Sequence, residues 1–160
     1  METGTGAPPP HRPVLYQEII QYLAPFSPGC YLDCTAGAGG HAKGILEASA
    51  PDGQLVAVDI DPDAIALARA TLAPFGPRAI VKHASYTECA QVLAELGWQG
   101  VDGIVLDLGV SSMQLDRADR GFSFQQNGPL DMRFDPTRGP SAADLVNNLD
   151  EKALADLIWH

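Results

Sequence analysis

The sequence predicts a doubly wound α/β domain, in which helices cover both faces of a parallel β-sheet. Short apolar runs rich in Val, Ile, Leu and Tyr recur along the chain, and a helical pattern separates each run from the next. These runs are almost continuously apolar rather than alternating, which is typical of strands buried on both faces. The chain has 160 residues, 46% of them hydrophobic, which is enough for one domain with a substantial core.

The predicted elements begin with a helix over residues 13–23, which has Pro13 in its first turn and Pro25 after its end. Strands are expected over residues 30–34, 55–58, 79–81 and 104–108. Between the second and third strands, Asp61-Pro62-Asp63 supplies a cap, a first-turn proline and an early acid for a helix over residues 64–72. Pro74 is expected to close that helix.

The pattern changes after residue 108. Residues 109–140 show no regular periodicity but are rich in Gly, Pro, Asp and Arg, and such long irregular stretches are usually functional or disordered. Helices are predicted again over residues 142–149 and 152–159, with Ser141 and Asp144 forming a capping box. We expect a disordered tail over residues 1–11, an α/β domain over 12–108 and an incomplete segment over 109–160. Four strands and an apolar helical face at the end predict a truncated domain.

Composition limits the classes of function. The chain carries 20 acidic and 10 basic residues, a formal charge of −10, which argues against holding nucleic acid by bulk electrostatics. No apolar stretch approaches the ~20 residues of a membrane helix, and the start lacks signal-peptide features. We therefore expect a cytoplasmic protein with no membrane partner. Cys30, Cys34 and Cys89 are expected to be buried thiols, and no acid or histidine cluster has metal-ligand spacing.

A glycine-rich motif carries the strongest chemical signal. Residues 31–41 (YLDCTAGAGGH) run from an apolar strand through a glycine turn into a helix, where backbone can approach a ligand closely. Asp59 ends the next strand, 20 residues after Gly39, at the distance where an acid meets a ribose in nucleotide-binding folds. Together these features predict an adenosine-type cofactor.

Two cofactors are compatible with this motif. Residues 37–42 (GAGGHA) also match the dinucleotide pattern G-x-G-x-x-A, so an NAD-type oxidoreductase domain is an alternative. However, Asp33 immediately precedes the turn, and its charge would repel a pyrophosphate at the helix N-terminus. The same carboxylate suits S-adenosyl-L-methionine, whose ammonium and sulfonium groups are cationic, although a solvated strand-end acid is the simpler alternative. The methyl donor is therefore favoured.

Asp107 is the candidate catalytic residue. It falls at the carboxyl end of the predicted fourth strand, on the edge where open α/β sheets bind ligands. An acceptor there would favour the reactive geometry of an amine and take up developing positive charge, with a backbone carbonyl of residues 108–111 as its helper. Alternatively, Asp107 serves only the cofactor, or caps the segment that begins at Ser111.

Several segments together resemble one known family, the RsmH (MraW) family of 16S rRNA cytosine-N4 methyltransferases. The resemblance extends over residues 11–160 and rests on HRPVL at 11–15, GGH at 39–41, DLGVSSMQLD at 107–116, RGFSF at 120–124, GPLDMR at 128–133 and DPTRG at 135–139. It implies a Rossmann-like class I methyltransferase fold with a substrate domain inserted after the fourth strand. The sheet would resume beyond residue 160.

The resemblance also implies an activity and a set of site residues. Such an enzyme would methylate the exocyclic N4 of a cytidine in the 16S rRNA of the small ribosomal subunit, near the decoding centre. Its S-adenosylmethionine contacts would fall at Gly39, Gly40, His41, Asp59, Tyr86, Asp107 and Gln114. Residues 12–108 would then bind the cofactor and 109–160 would begin the RNA-binding region. An inactive cofactor-binding fragment is the non-enzymatic alternative.

The sequence allows two interpretations of the aromatic and charged residues in this region. Phe122 and Phe124 would stack on flanking nucleotides, while four arginines would hold phosphates. The arginines are Arg117, Arg120, Arg133 and Arg138. In the alternative, ion pairs within the loop hold it in place, because four acids alternate with those arginines along the chain. The acids are Asp116, Asp119, Asp131 and Asp135.

Overall fold

A computed structural model describes residues 13–159, so the tail predicted over residues 1–11 lies outside the described residues. The chain divides into two compact units, with Asp107 the last residue of the first and Leu108 the first residue of the second. This division falls one residue before the boundary expected from the sequence.

The first unit holds a four-stranded parallel sheet. Its strands are β1 (Cys30–Asp33), β2 (Gln54–Asp59), β3 (Ala79–His83) and β4 (Gly103–Val105), in the spatial order β3-β2-β1-β4. The predicted parallel sheet is confirmed. The fourth strand was predicted to reach Leu108, and this was wrong. The chain leaves the sheet after Val105, where Asp107 donates its N–H to the Thr35 hydroxyl (2.8 Å) instead of to a strand.

Four helices flank this sheet. They are α1 (Tyr16–Leu23), α2 (Gly40–Ala48), α3 (Pro62–Leu72) and α4 (Cys89–Glu95), with 3-10 turns at Ala73–Arg78 and Tyr86–Glu88. The predicted cap of α3 is confirmed, because the Asp61 carboxylate accepts the Asp63 N–H at 2.9 Å. The first helix begins three residues later than predicted. Leu15 has a φ of 51°, a left-handed conformation that a helix cannot continue.

Apolar side chains cover both faces of the sheet. One core contains Tyr31 with residues of α2 and α3, whereas the other contains the neighbouring Leu32 with Val92 of α4. Successive residues of β1 therefore enter opposite cores, as the strand period requires. This confirms the doubly wound arrangement. Cys34 and Cys89 lie in the second core with their sulfur atoms 3.6 Å apart, and Cys30 is only partly buried.

The second unit is built from short helices and irregular chain. It contains α5 (Ser112–Leu115), a 3-10 turn at Ala118–Arg120, α6 (Ala142–Asn148) and α7 (Glu151–Trp159). The predicted capping box of α6 is confirmed: Ser141 Oγ accepts the Asp144 N–H (3.1 Å), and the Asp144 carboxylate accepts the Ser141 N–H (2.9 Å). Within residues 13–159, no helix is long and apolar enough to cross a membrane.

Candidate cofactor site

The parallel sheet brings the carboxyl ends of its strands to one edge. Asp33 ends β1 beside Ala57 of β2 and Val105 of β4, while Asp59 ends β2 beside His83 of β3. The two predicted acids of this motif therefore lie on adjacent strands of the same edge. Ligands of open α/β sheets bind at this edge.

Asp59 is tied to the glycine turn that follows β1. Its Oδ2 accepts the Gly37 N–H at 2.8 Å and its Oδ1 accepts the Asp61 N–H at 2.9 Å. The Gly39 N–H donates to the Ala36 carbonyl at 2.7 Å. These bonds fix the turn against the end of β2. The N–H groups of Gly37 and Gly39 are therefore already hydrogen-bonded to other groups of the protein.

The three glycines of the turn serve different purposes. A Cβ built on Gly40 would lie 2.3 Å from Pro13, and one on Gly39 would lie 3.3 Å from Ala68 of α3. Gly40 leaves room for Pro13, whereas at Gly39 both the approach of α3 and a φ of +83° favour glycine. Gly37 also has a positive φ, of +50°, but its Cβ would meet nothing closer than 3.9 Å. The open side of the turn is therefore at Gly37, where a ligand has room to approach the backbone.

Asp33 is a fully buried carboxylate next to this turn. Its Oδ1 accepts the Thr35 N–H at 3.1 Å, whereas its Oδ2 has no hydrogen-bond partner among the described residues. Burial raises the pKa of Asp33 to about 6, against the lowering effects of the Thr35 N–H, of His41 and of the Ala42 N–H. A buried, incompletely satisfied carboxylate favours a cationic neighbour.

His41 is occupied within the protein. Its side chain is buried, its Nε2 lies 3.0 Å from the Val14 carbonyl oxygen, and its ring stacks on Tyr16 with 6.4 Å between centroids. Sequence reasoning placed His41 against the cofactor. The described partners of the side chain are Val14, just before α1, and Tyr16, the first residue of α1; a search for local motifs does not reveal them because they are distant in the chain.

Tyr86 and Asp107 are accessible at the same sheet edge. Tyr86 opens the 3-10 turn after β3 and is 51% exposed, so its aromatic side chain is accessible from solvent. Asp107 follows β4 by two residues and its carboxylate is exposed. Thr35, which sequence reasoning missed, holds the Asp107 backbone through its hydroxyl. The alternative role of Asp107 as a cap is not seen, because Ser111 itself caps α5.

Gln114, the remaining predicted contact, lies in the second unit. Its Oε1 accepts the Ser111 N–H at 2.9 Å, and its own N–H donates to Ser111 Oγ at 3.2 Å. Gln114 is buried, and this reciprocal pair is the capping box of α5. The described contacts therefore give Gln114 a local structural role.

The arginines of the second unit engage acids and carbonyls of their own loop. Arg117 pairs with Asp119, Arg133 donates Nε to Asp131 (3.0 Å), and Arg138 lies 3.4 Å from Asp135. Arg120 is buried and donates to the carbonyls of Arg133 and Phe134. The hydrogen bond from Arg133 lowers the pKa of Asp131. These contacts agree with the interpretation that ion pairs and hydrogen bonds within the loop hold it in place.

The two phenylalanines of the RGFSF motif have different surroundings. Phe122 packs against Phe134 with 5.3 Å between ring centroids, whereas Phe124 is 99% exposed. The pairing leaves Phe124 as the phenylalanine of the RGFSF motif that is open to an external partner.

The edge of the first unit fits a nucleoside that carries positive charge. Asp59 presents a partly exposed carboxylate beside an open turn, Tyr86 presents an aromatic face, and Asp33 places an incompletely paired carboxylate next to the turn. Each of these features is a general requirement for binding a ribose, a flat base or a cation. In the part of the chain that the structure describes, no group of three or more His, Cys, Asp or Glu residues could hold a metal ion.

Comparison with known proteins gives a consistent result. The model of the MraW methylase family matches residues 9–160 of this chain. A protein named Ribosomal RNA small subunit methyltransferase H from Geotalea uraniireducens (strain Rf4) is 54% identical over 149 residues, which are 93% of this chain and 48% of that protein. The protein of the same name from Citrifermentans bemidjiense is 55% identical over 148 residues, 92% of this chain and 47% of that protein.

More distant comparisons agree on the fold. The crystal structure of a protein named PH0851 superposes with a TM-score of 0.53 at 17% identity, covering 63% of this chain and 22% of that one. At that identity the likeness concerns the fold alone. The chain spans about half the length of the curated relatives it matches.

Proposed function

This chain belongs to the MraW methylase family, and from that premise we propose that the intact protein is an S-adenosyl-L-methionine-dependent methyltransferase. Its substrate is the exocyclic N4 of a cytidine in the 16S rRNA of the small ribosomal subunit. Relatives more than 50% identical to this chain carry the name Ribosomal RNA small subunit methyltransferase H. The proposal includes the cytoplasm as the place of action, since the substrate is ribosomal.

One observation carries the choice of cofactor. The N–H groups of Gly37 and Gly39 already donate to Asp59 and Ala36, and buried Asp33 lies next to the same turn. A dinucleotide needs such N–H groups for its pyrophosphate, and an adjacent carboxylate would repel that group. A positively charged cofactor without phosphate needs no N–H groups for a pyrophosphate and is attracted, not repelled, by the Asp33 carboxylate. The NAD-type alternative is therefore not favoured.

The proposed cofactor contacts follow from these positions. Asp59 receives the ribose hydroxyls with the lone pairs that its two backbone bonds leave unused, and Tyr86 stacks on the adenine. Asp33 balances the cationic end of the cofactor. We propose backbone contacts for Gly39, Gly40 and His41 at the start of α2; the Gly39 N–H is already bonded to the Ala36 carbonyl, whereas the first-turn N–H groups of Gly40 and His41 lack helical partners. For Gln114 we propose a contact in the intact protein, beyond its capping role.

The reaction is methyl transfer by in-line displacement, for which the cofactor supplies a methyl group on a positively charged sulfur. The protein contributes mainly positioning and electrostatic stabilisation. We assign the exposed carboxylate of Asp107 to the amine of cytosine, where it would accept a hydrogen bond and stabilise the positive charge that develops as the C–N bond forms and the bond from sulfur to the methyl group breaks. The sulfur would leave as a neutral thioether, and the surplus amine proton would pass to solvent. The Thr35 hydroxyl holds the Asp107 backbone in place. No covalent bond to the protein is required.

We assign the two units to two tasks. The first, which ends at Asp107, binds the cofactor, and the second begins the RNA-binding region. Phe124 is proposed to stack on an unpaired base of the substrate, since it is 99% exposed. Arg138, whose side chain is 70% exposed despite its contact with Asp135, is proposed to reach a phosphate. Because the chain spans about half of its relatives, the activity is assigned to the intact protein.

Calorimetry on the intact protein tests the cofactor directly. S-adenosylmethionine is expected to bind, and NAD is expected not to bind at the same concentration. Methylation of isolated small ribosomal subunits, followed by nuclease digestion and mass spectrometry, should then yield N4-methylcytidine. Binding of NAD alone would overturn the proposal, and a cofactor-binding protein that methylates neither particles nor free rRNA would support the non-enzymatic alternative.

A further inference from the structure

His41 connects α2, the helix that follows the glycine turn, to residues 13–16, which we term the entry segment. Its Nε2 lies 3.0 Å from the Val14 carbonyl oxygen. A carbonyl oxygen can only accept a hydrogen bond, so Nε2 carries the proton and donates. The ring also stacks on Tyr16, with an interplanar angle of 12°.

Two neighbouring glycines of α2 complete this contact. A Cβ on Gly40 would lie 2.3 Å from Pro13, and a Cβ on Gly44 would lie 2.4 Å from the Tyr16 hydroxyl. Three residues of α2 at positions 40, 41 and 44 therefore receive the entry segment, which passes directly over the helix start. The glycines provide the room, and His41 provides the polar bond.

The burial of His41 separates its side chain from the open side of the turn. The residue is only 6% exposed, and its Nε2 and one ring face are already engaged. The open space of the turn is at Gly37 instead. A ligand in that space can reach the backbone of the turn without touching the imidazole ring.

We propose that His41 is a positioning residue, which holds the entry segment against α2 so that this segment forms a wall of the cofactor site. The proposal rests on the proposed function, because it concerns the same cofactor. It predicts that Tyr16, which contacts His41 and Gly44 of α2, controls affinity through the same contact. It also predicts that the Nε2 donor matters more than an aromatic ring or a charge.

The experiment compares His41→Ala, His41→Asn and His41→Gln in the intact protein, with S-adenosylhomocysteine as the calorimetric probe. Glutamine places an amide N–H near the Nε2 position, whereas asparagine is too short. We expect about 10-fold weaker binding for the alanine and asparagine variants, the scale of one lost hydrogen bond with its packing, and recovery to within about 3-fold for glutamine. Hydrogen exchange should quicken over residues 13–23 in the weak variants only.

Tyr16 supplies the second arm of the test. Tyr16→Ala should weaken the probe and quicken the same exchange, Tyr16→Phe should do neither, and the His41→Ala, Tyr16→Ala double variant should be no weaker than the worse single variant. Exchange over α3 serves as the internal control for a global loss of fold. Weaker binding in His41→Ala with unchanged exchange over residues 13–23, or a Tyr16→Ala variant with normal affinity, would overturn the proposal. Failure of the wild-type protein to bind the probe would instead refute the proposed function, while the exchange data would still report the contact.

Discussion

Asp33 is the residue whose environment departs most from that of an ordinary surface acid. It is fully buried, and burial raises its pKa to about 6. Because the folded pKa exceeds the unfolded value of 3.8, the folded protein binds the extra proton more tightly between these values. The free energy of unfolding therefore falls as the pH rises from about 4 to 6, and the cost of the charged carboxylate is fully present above that range.

Replacing Asp33 by Asn removes this cost. In the absence of ligand, Asp33→Asn should raise the free energy of unfolding at pH 8 by about 2 to 3 kcal/mol, the equivalent of roughly two pH units. The variant should also lose the pH dependence between 4 and 6 and bind the cationic cofactor more weakly. Denaturant titrations across pH, with the exposed Asp52→Asn as the matched control, measure both effects. Unchanged stability at pH 8 would show that the Asp33 carboxylate is well compensated in the folded protein.

Asp107 is the second residue with a distinct prediction. Asp107→Asn keeps the shape of the side chain and the backbone bond to Thr35 but removes the charge. If the carboxylate stabilises charge on the cytosine amine, single-turnover methylation of small ribosomal subunits should slow by about 100-fold at saturating cofactor. Cofactor affinity should change far less. A loss of kcat/KM that saturating cofactor restores would instead assign Asp107 to cofactor binding alone.

At the scale of single elements, alanine substitutions at two glycines can distinguish the effect of backbone strain from the effect of a lost ligand contact. Gly37 and Gly97 both have a positive φ, and neither has a neighbour close enough to clash with a Cβ. Gly37→Ala and Gly97→Ala should therefore each destabilise the fold by about 1 to 2 kcal/mol through left-handed strain. Only Gly37→Ala should also weaken the cofactor, because its methyl group enters the open side of the turn. Equal cofactor affinity in the two variants, measured by calorimetry, would move the ligand away from Gly37.

At the scale of the whole molecule, these 160 residues carry a formal charge of −10, so the RNA recognition proposed for the intact protein would depend, within this chain, on local contacts. The arginines of the second unit engage their own loop and only Arg138 is proposed to reach a phosphate, so stacking on Phe124 is the contact that we test here. Phe124→Ala should reduce kcat/KM for small ribosomal subunits by about 10-fold, within the range for one lost base–aromatic stack. Cofactor affinity should stay unchanged. The exposed aromatic Tyr22 provides the control, and a Tyr22→Ala variant that loses as much activity as Phe124→Ala would contradict a specific stack.

Much of the fold follows from signals carried by residues close together in the chain. The apolar runs predict four strands, Asp61-Pro62-Asp63 predicts the start of α3, and Ser141 with Asp144 predicts the start of α6. The parallel order of the strands then places Asp33 and Asp59 at one edge. These features are predictable because hydrophobic periodicity and helix capping act over a few residues. Where the signal weakens, as at the end of β4, the predicted boundary is wrong by three residues.

The partners of the site residues depend on contacts that join distant parts of the chain. Gly40 makes room for Pro13, His41 bonds Val14 and Asp59 bonds Gly37, over separations of 27 residues for the histidine and 22 for the aspartate. No local pattern distinguishes a glycine that admits a ligand from one that admits another segment. The two kinds of glycine differ only in what lies next to them in the folded protein. Because protein interiors are closely packed, the space left by a missing Cβ is filled by whichever segment the tertiary structure places there.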